Sequence, residues 1–131
     1  MWLKMSMIKK LARDALNEMW DNVTTPQNYV EGGCSFCKLV KENCSVCLLP
    51  KYFCEKEDGK LKKNTLISKI RYAREYLLEA HIKMLGNTDK RFLSWMIFNN
   101  CLKLIKRGVR DMMIYGKVRK KTEKKILKFL E

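Results

Sequence analysis

Residues 64–112 read NTLISKIRYAREYLLEAHIKMLGNTDKRFLSWMIFNNCLKLIKRGVRDM. Leu66, Ile70, Ala73, Leu77, Ala80 and Met84 recur four and three apart, which is one apolar seam of a helix. Leu78, Ile82 and Leu85 widen it. Trp95, Phe98, Leu102, Ile105, Val109 and Met112 repeat the same alternation. Asn64 or Thr65 can cap the first of these helices. Gly86 can end it, because glycine enters the left-handed conformation without a side-chain clash. The second starts after Asn87 or Thr88, with Asp89 at its positive end, and breaks at Gly116. A joint of only a few residues makes the pair an antiparallel hairpin.

On the amino-terminal side, Met5, Ile8, Ala12, Ala15, Leu16 and Met19 share a helical face, while Lys9, Lys10, Arg13 and Asn17 fall elsewhere. Thr24-Thr25-Pro26 ends that helix, since proline lacks the amide hydrogen a helix interior needs. On the carboxy-terminal side, Lys117–Glu131 predicts a short helix with Ile126, Leu127 and Leu130 as its apolar contact. Trp95 and Phe98 are expected in the core. No segment shows strand period over a useful length. The fold class is therefore mainly α: a helical hairpin or small bundle. The 131 residues form a single domain, with helix one at 1–22, a cysteine-rich loop at 23–63, the hairpin at 64–116 and a basic helix at 117–131.

The 23–63 segment has no sustained period and holds Pro26, Gly32, Gly33, Pro50 and Gly59. It also holds five cysteines on a regular spacing: Cys34, Cys37, Cys44, Cys47 and Cys54, C-x2-C-x6-C-x2-C-x6-C. A loop this long in a small domain needs a reason to be ordered, and a metal supplies one. Zinc takes four thiolates in a tetrahedron, and two C-x2-C pairs, Cys34/Cys37 and Cys44/Cys47, provide them. Cys54 is an alternative fourth ligand, and a two-metal cluster with bridging sulfurs remains open. Structural zinc would contribute about 10–16 kcal/mol, more than the apolar side chains expected of such a loop. An iron–sulfur cluster suits close cysteines too, and three disulfides are the remaining alternative. Phe36, Tyr52 and Phe53 lie beside the cysteines and either pack there or stack on bases. Cys101 reads as a buried apolar residue, and His81, the sole histidine, as a surface or core residue rather than a ligand.

Cys34, Cys37 and Cys44 resemble one half of the fungal binuclear zinc-cluster DNA-binding domains. The cysteine pairs expected after Cys54 are absent, and that family's function is not carried over. All five cysteines resemble the pattern in small uncharacterised CxxC-rich proteins of archaeal viruses and phages. That resemblance implies a metal-binding accessory protein.

The formal charge is +14, and thirteen of the 28 basic residues but only four of the 14 acidic ones fall at 87–131. Such asymmetry suits a polyanionic partner. Lys103, Lys106, Arg107 and Arg110 share one helical face, extended by Asn99 and Asn100. Lys117, Arg119, Lys120 and Lys121 form a second block, with Lys124 and Lys125 beyond. These eight basic residues are the expected contacts to DNA or RNA. A solvated outer face would look the same in sequence.

No phosphate-cradling glycine motif, Ser-His-Asp set or HExxH helix occurs, so the chain is not read as an enzyme. No apolar run reaches bilayer length, and Met1–Lys10 lacks the apolar core and cleavage site of a signal peptide. The expectation is a soluble, intracellular protein, in the host cytoplasm if viral. Its function is expected to be that of a small zinc-stabilised nucleic-acid-binding accessory or regulatory protein. The alternatives are a zinc-stabilised adaptor docking a protein partner, and an iron–sulfur or redox protein.

Overall fold

The computed structural model describes residues 4–29, 34–40, 47–57, 60–83 and 88–131, with residues 57, 80–83 and 88 described by backbone alone. In order come α1 (Met5–Ala15), α2 (Ser35–Leu39), β1 (Lys56–Glu57), β2 (Lys60–Leu61), α3 (Leu66–Lys83), α4 (Thr88–Tyr115) and α5 (Lys120–Leu130). The fold is mainly helical. α3 and α4 form the expected hairpin, and α1 lies across α4. Gly86 and Asn87 lie outside the described residues.

Local chemistry accounts for the helix ends. Thr65 Oγ1 accepts from the Ser68 amide at 3.2 Å, a side-chain cap that satisfies one orphan donor of the first turn of α3. The Leu66 and Ile67 amides donate to the Tyr52 and Phe53 carbonyls at 3.0 and 2.9 Å. The chain entering α3 thus caps it from a turn fourteen residues upstream. α4 ends where Gly116 turns to φ +76° and donates its amide to the Met112 carbonyl at 2.9 Å. That region is costly for any residue with a Cβ. α1 passes into one π-helical turn at Leu16–Trp20, and Trp20 is buried.

The core draws on every helix. Ala12, Ala15, Leu16 and Trp20 come from the amino-terminal helix; Leu66, Ile70 and Ala73 from α3; Phe98, Cys101, Ile105 and Val109 from α4; Ile126 and Leu130 from α5. Tyr29 meets Phe98 edge to face at 6.2 Å.

Three expectations are corrected. Trp95 is 40 % exposed: it stacks on Phe98 from outside the seam, at 6.3 Å between centroids. Leu127 is also open to solvent at 46 %. The second apolar position of the α5 face belongs to Thr122, which is fully buried because its hydroxyl has a partner. Third, the segment after α1 is rich in core residues, not poor in them. Val23, Pro26, Tyr29, Phe36, Val40, Leu49 and Phe53 are all buried. At about 1.5–3 kcal/mol for each large side chain taken from water, this segment has an apolar reason to be ordered.

That segment is also tied down by polar bonds. Asn28 accepts from the Thr24 and Thr25 amides through Oδ1 at 3.1 and 2.9 Å and donates through Nδ2 to the Asn22 carbonyl at 3.0 Å. Arg74 of α3 donates to the Pro26 carbonyl at 3.2 Å, and Lys106 of α4 to the Val23 carbonyl at 2.9 Å. The turn after α1 is therefore held by both arms of the hairpin. Further on, β1 and β2 pair antiparallel over two residues each, a ribbon too short to read from sequence.

Candidate cysteine centre and basic face

Cys34 is the residue before α2, in extended conformation at φ −77°, ψ 175°. It is buried at 7 % exposure. The amides of Cys37 and Phe36 lie on the side of its sulfur and favour the thiolate, without reaching the geometry of a capping hydrogen bond. Burial pushes the Cys34 thiol up, and the nearby sulfurs of Cys47 and Cys37 push it the same way. Left alone, it is a protonated thiol at neutral pH.

The fold thus brings Cys34, Cys37 and Cys47 into one neighbourhood on the core's edge. Cys54, next to buried Phe53, also packs against the core. Cys44 lies outside the described residues. Among the described residues, no three histidine, cysteine or carboxylate side chains converge closely enough to hold an ion by themselves. Cys34, Cys37, Cys47, Cys54 and Cys101 are thiols, not halves of disulfides. Sulfur donors in C-x2-C pairs are of the type that zinc takes, and of these Cys34 is buried beside backbone amides.

The aromatic neighbours of the cysteines are packing residues. Phe36 is 1 % and Phe53 0 % exposed. The tip of the Phe53 ring abuts Gly108 of α4, where any Cβ would clash with it. Tyr52 is partly buried and tilts over Phe53 at 5.5 Å. Burial, then Glu123 and Asp111, push its hydroxyl up to about 12. Cys101 is fully buried in α4, and burial pushes its thiol up to about 12 against the lowering influence of Lys69.

The eight basic residues divide into two sets. Lys106 is spent on the Val23 carbonyl, and Arg110 pairs with Asp21 at 3.0 Å. Arg119 is held by Asp111, through Nε and Nη2 both at 3.1 Å, and lies over the Tyr115 ring at 4.9 Å. These three secure the protein to itself. Lys103, Lys117, Lys120 and Lys121 face solvent, and Arg107 is half-exposed. Lys124, Lys125 and Lys128 continue the exposed face of α5. Sequence alone does not separate the sets, because the Val23 carbonyl and Asp21 are far along the chain from Lys106 and Arg110, and Asp111 meets Arg119 only across the turn between α4 and α5.

The group that fixes this lysine face is Asp111, which the sequence reading did not single out. Its carboxylate is buried at 3 % exposure and accepts from Thr122 Oγ1 at 2.5 Å, Arg119 Nε at 3.1 Å and the Arg119 amide at 3.3 Å. Burial alone would raise its pKa. The bonds from Thr122 and Arg119 and the Arg119 charge outweigh that and hold the carboxyl below its ordinary value. One carboxylate therefore seats the first turn of α5 on α4. With Ile126 and Leu130 inward, α5 must turn its lysines out.

Among the described residues, no helix is long and apolar enough to cross a membrane. No protein-family model, curated protein or solved structure matches the chain.

Proposed function

We propose that the chain is a small zinc-stabilised nucleic-acid-binding protein of accessory or regulatory kind, working inside the cell and, on its cysteine pattern, of viral or phage type. The observation that carries the reading is the lysine face of α5. Lys120, Lys121, Lys124, Lys125 and Lys128 all reach solvent on one short element, and Lys117 does so just before it. Lys103 and Arg107 add to it from α4. A fixed row of ammonium groups suits phosphates, whose counterions it displaces. Lys106, Arg110 and Arg119 keep the surface in place and are not counted as phosphate contacts.

Cys34, Cys37, Cys44 and Cys47 would hold the zinc, with Cys54 as the alternative fourth ligand. Four sulfurs leave no open position for substrate, so the ion's part is structural. It would keep Cys34 as a thiolate where burial alone favours the thiol.

The test is fluorescence anisotropy with labelled DNA and RNA oligonucleotides over a salt series. Binding should weaken steeply with salt. Replacing Lys120, Lys121, Lys124 and Lys125 by glutamine should flatten the log–log slope by about 0.7–0.9 per lost phosphate contact. Absence of binding at about 50 mM salt overturns the nucleic-acid reading. Elemental analysis of native protein should find zinc at about one ion per chain. Iron, or no metal, overturns that part.

A further inference from the structure

Among the described residues, α4 turns one largely exposed face to solvent. Phe92, Met96, Asn99, Lys103 and Arg107 recur four and three residues apart, opposite the buried seam of Phe98, Cys101, Ile105 and Val109; Arg110 continues the row but is paired with Asp21. Phe92 is 66 % exposed, and Met96 and the flanking Trp95 are open as well. The face is therefore aromatic at its amino-terminal end, amide-bearing in the middle and cationic at its carboxy-terminal end. Phe92 and Lys103 are eleven residues apart, ~17 Å along the axis. The one acidic side chain of the first turn, Asp89, stands at the aromatic end, away from the cations.

Two occupants fit poorly. A second copy of the chain would bring +14 against +14, with cations facing cations. A nucleic-acid duplex satisfies the lysines but keeps the faces of its bases stacked inside, leaving Phe92 and Trp95 nothing to stack on. An unpaired strand supplies both requirements: phosphates for Lys103 and Arg107, and bare base faces for the rings.

We propose that the nucleic acid bound is single-stranded, with bases stacked on Phe92 and Trp95 and its backbone running towards Lys103, Arg107 and the α5 lysines. This rests on the nucleic-acid reading above and narrows it to a substrate class. Phe92 is the stacking residue to test, because Trp95 also supports Phe98 and its removal would disturb the core.

The experiment compares full-length wild-type protein with Phe92→Ala and Phe92→Tyr. The probes are a single-stranded oligonucleotide, its duplex and an abasic strand of equal length, all at one salt concentration. The wild type should prefer the single strand about tenfold or more over both other probes. Phe92→Ala should lose about tenfold on the single strand, with an unchanged salt slope and an unchanged melting temperature. On the abasic strand it should lose nothing. Phe92→Tyr should restore binding.

Equal affinity for strand and duplex, or full binding by Phe92→Ala, overturns the single-strand inference while lysine-dependent binding stands. So does a wild-type dimer that Phe92→Ala dissolves with nucleic-acid affinity unchanged. No salt-sensitive binding to any probe overturns the nucleic-acid reading itself.

Discussion

Asp111 shows how much one side chain can decide. Its carboxyl is held below its ordinary value when folded, so the folded state favours its charged form more than the unfolded chain does. That contribution is complete above the unfolded value of about 4 and is lost as pH falls through the lower folded value. Asp111→Asn should cost about 1.5–3 kcal/mol at neutral pH, and the gap to wild type should close in acid. Urea titrations at both pH values measure it. Gly108→Ala drives a methyl into the Phe53 ring and should cost about 1–3 kcal/mol in the same assay. Cys101, buried and pushed up to about 12, should resist a thiol reagent until the protein is denatured. Its burial was legible, because it falls between the seam positions Phe98 and Leu102. The Asp111 hub was not: a single aspartate on a helix gives no sign that a threonine eleven residues away will meet it.

At the level of elements, periodicity was a sound guide wherever two faces of a helix differ. The hairpin, the Thr65 cap and the Gly116 stop follow from local rules that need no tertiary partner. The seams misled where burial depends on what lies opposite, as at Trp95 and Leu127. The segment from 23 to 57 was least legible, since its apolar residues are anchored singly, with no period to reveal them. Phe36 and Phe53 are the clearest cases. This bears on metal removal. Because the segment carries its own buried residues, a chelator that removes the proposed zinc should lower the melting temperature without unfolding α3, α4 and α5. Circular dichroism should keep most of its helical signal. Wholesale loss of helix would show that the apolar anchors are insufficient.

For the molecule as a whole, a charge of +14 on 131 residues sets two effects of salt against each other. Self-repulsion opposes the compact state, so added salt should raise the melting temperature. The same salt should weaken oligonucleotide binding. Melting curves and anisotropy over one salt series test both signs together, and parallel trends would contradict the picture. The seating of α5 has its own consequence. The densest positive charge rides on eleven residues whose first turn is held by a single carboxylate, with Ile126, Phe129 and Leu130 packed on the core further along. Acidification that protonates Asp111 should let that arm swing loose before the rest melts, seen as early amide exchange at 120–130. The lysines would then keep their charge and lose their fixed arrangement.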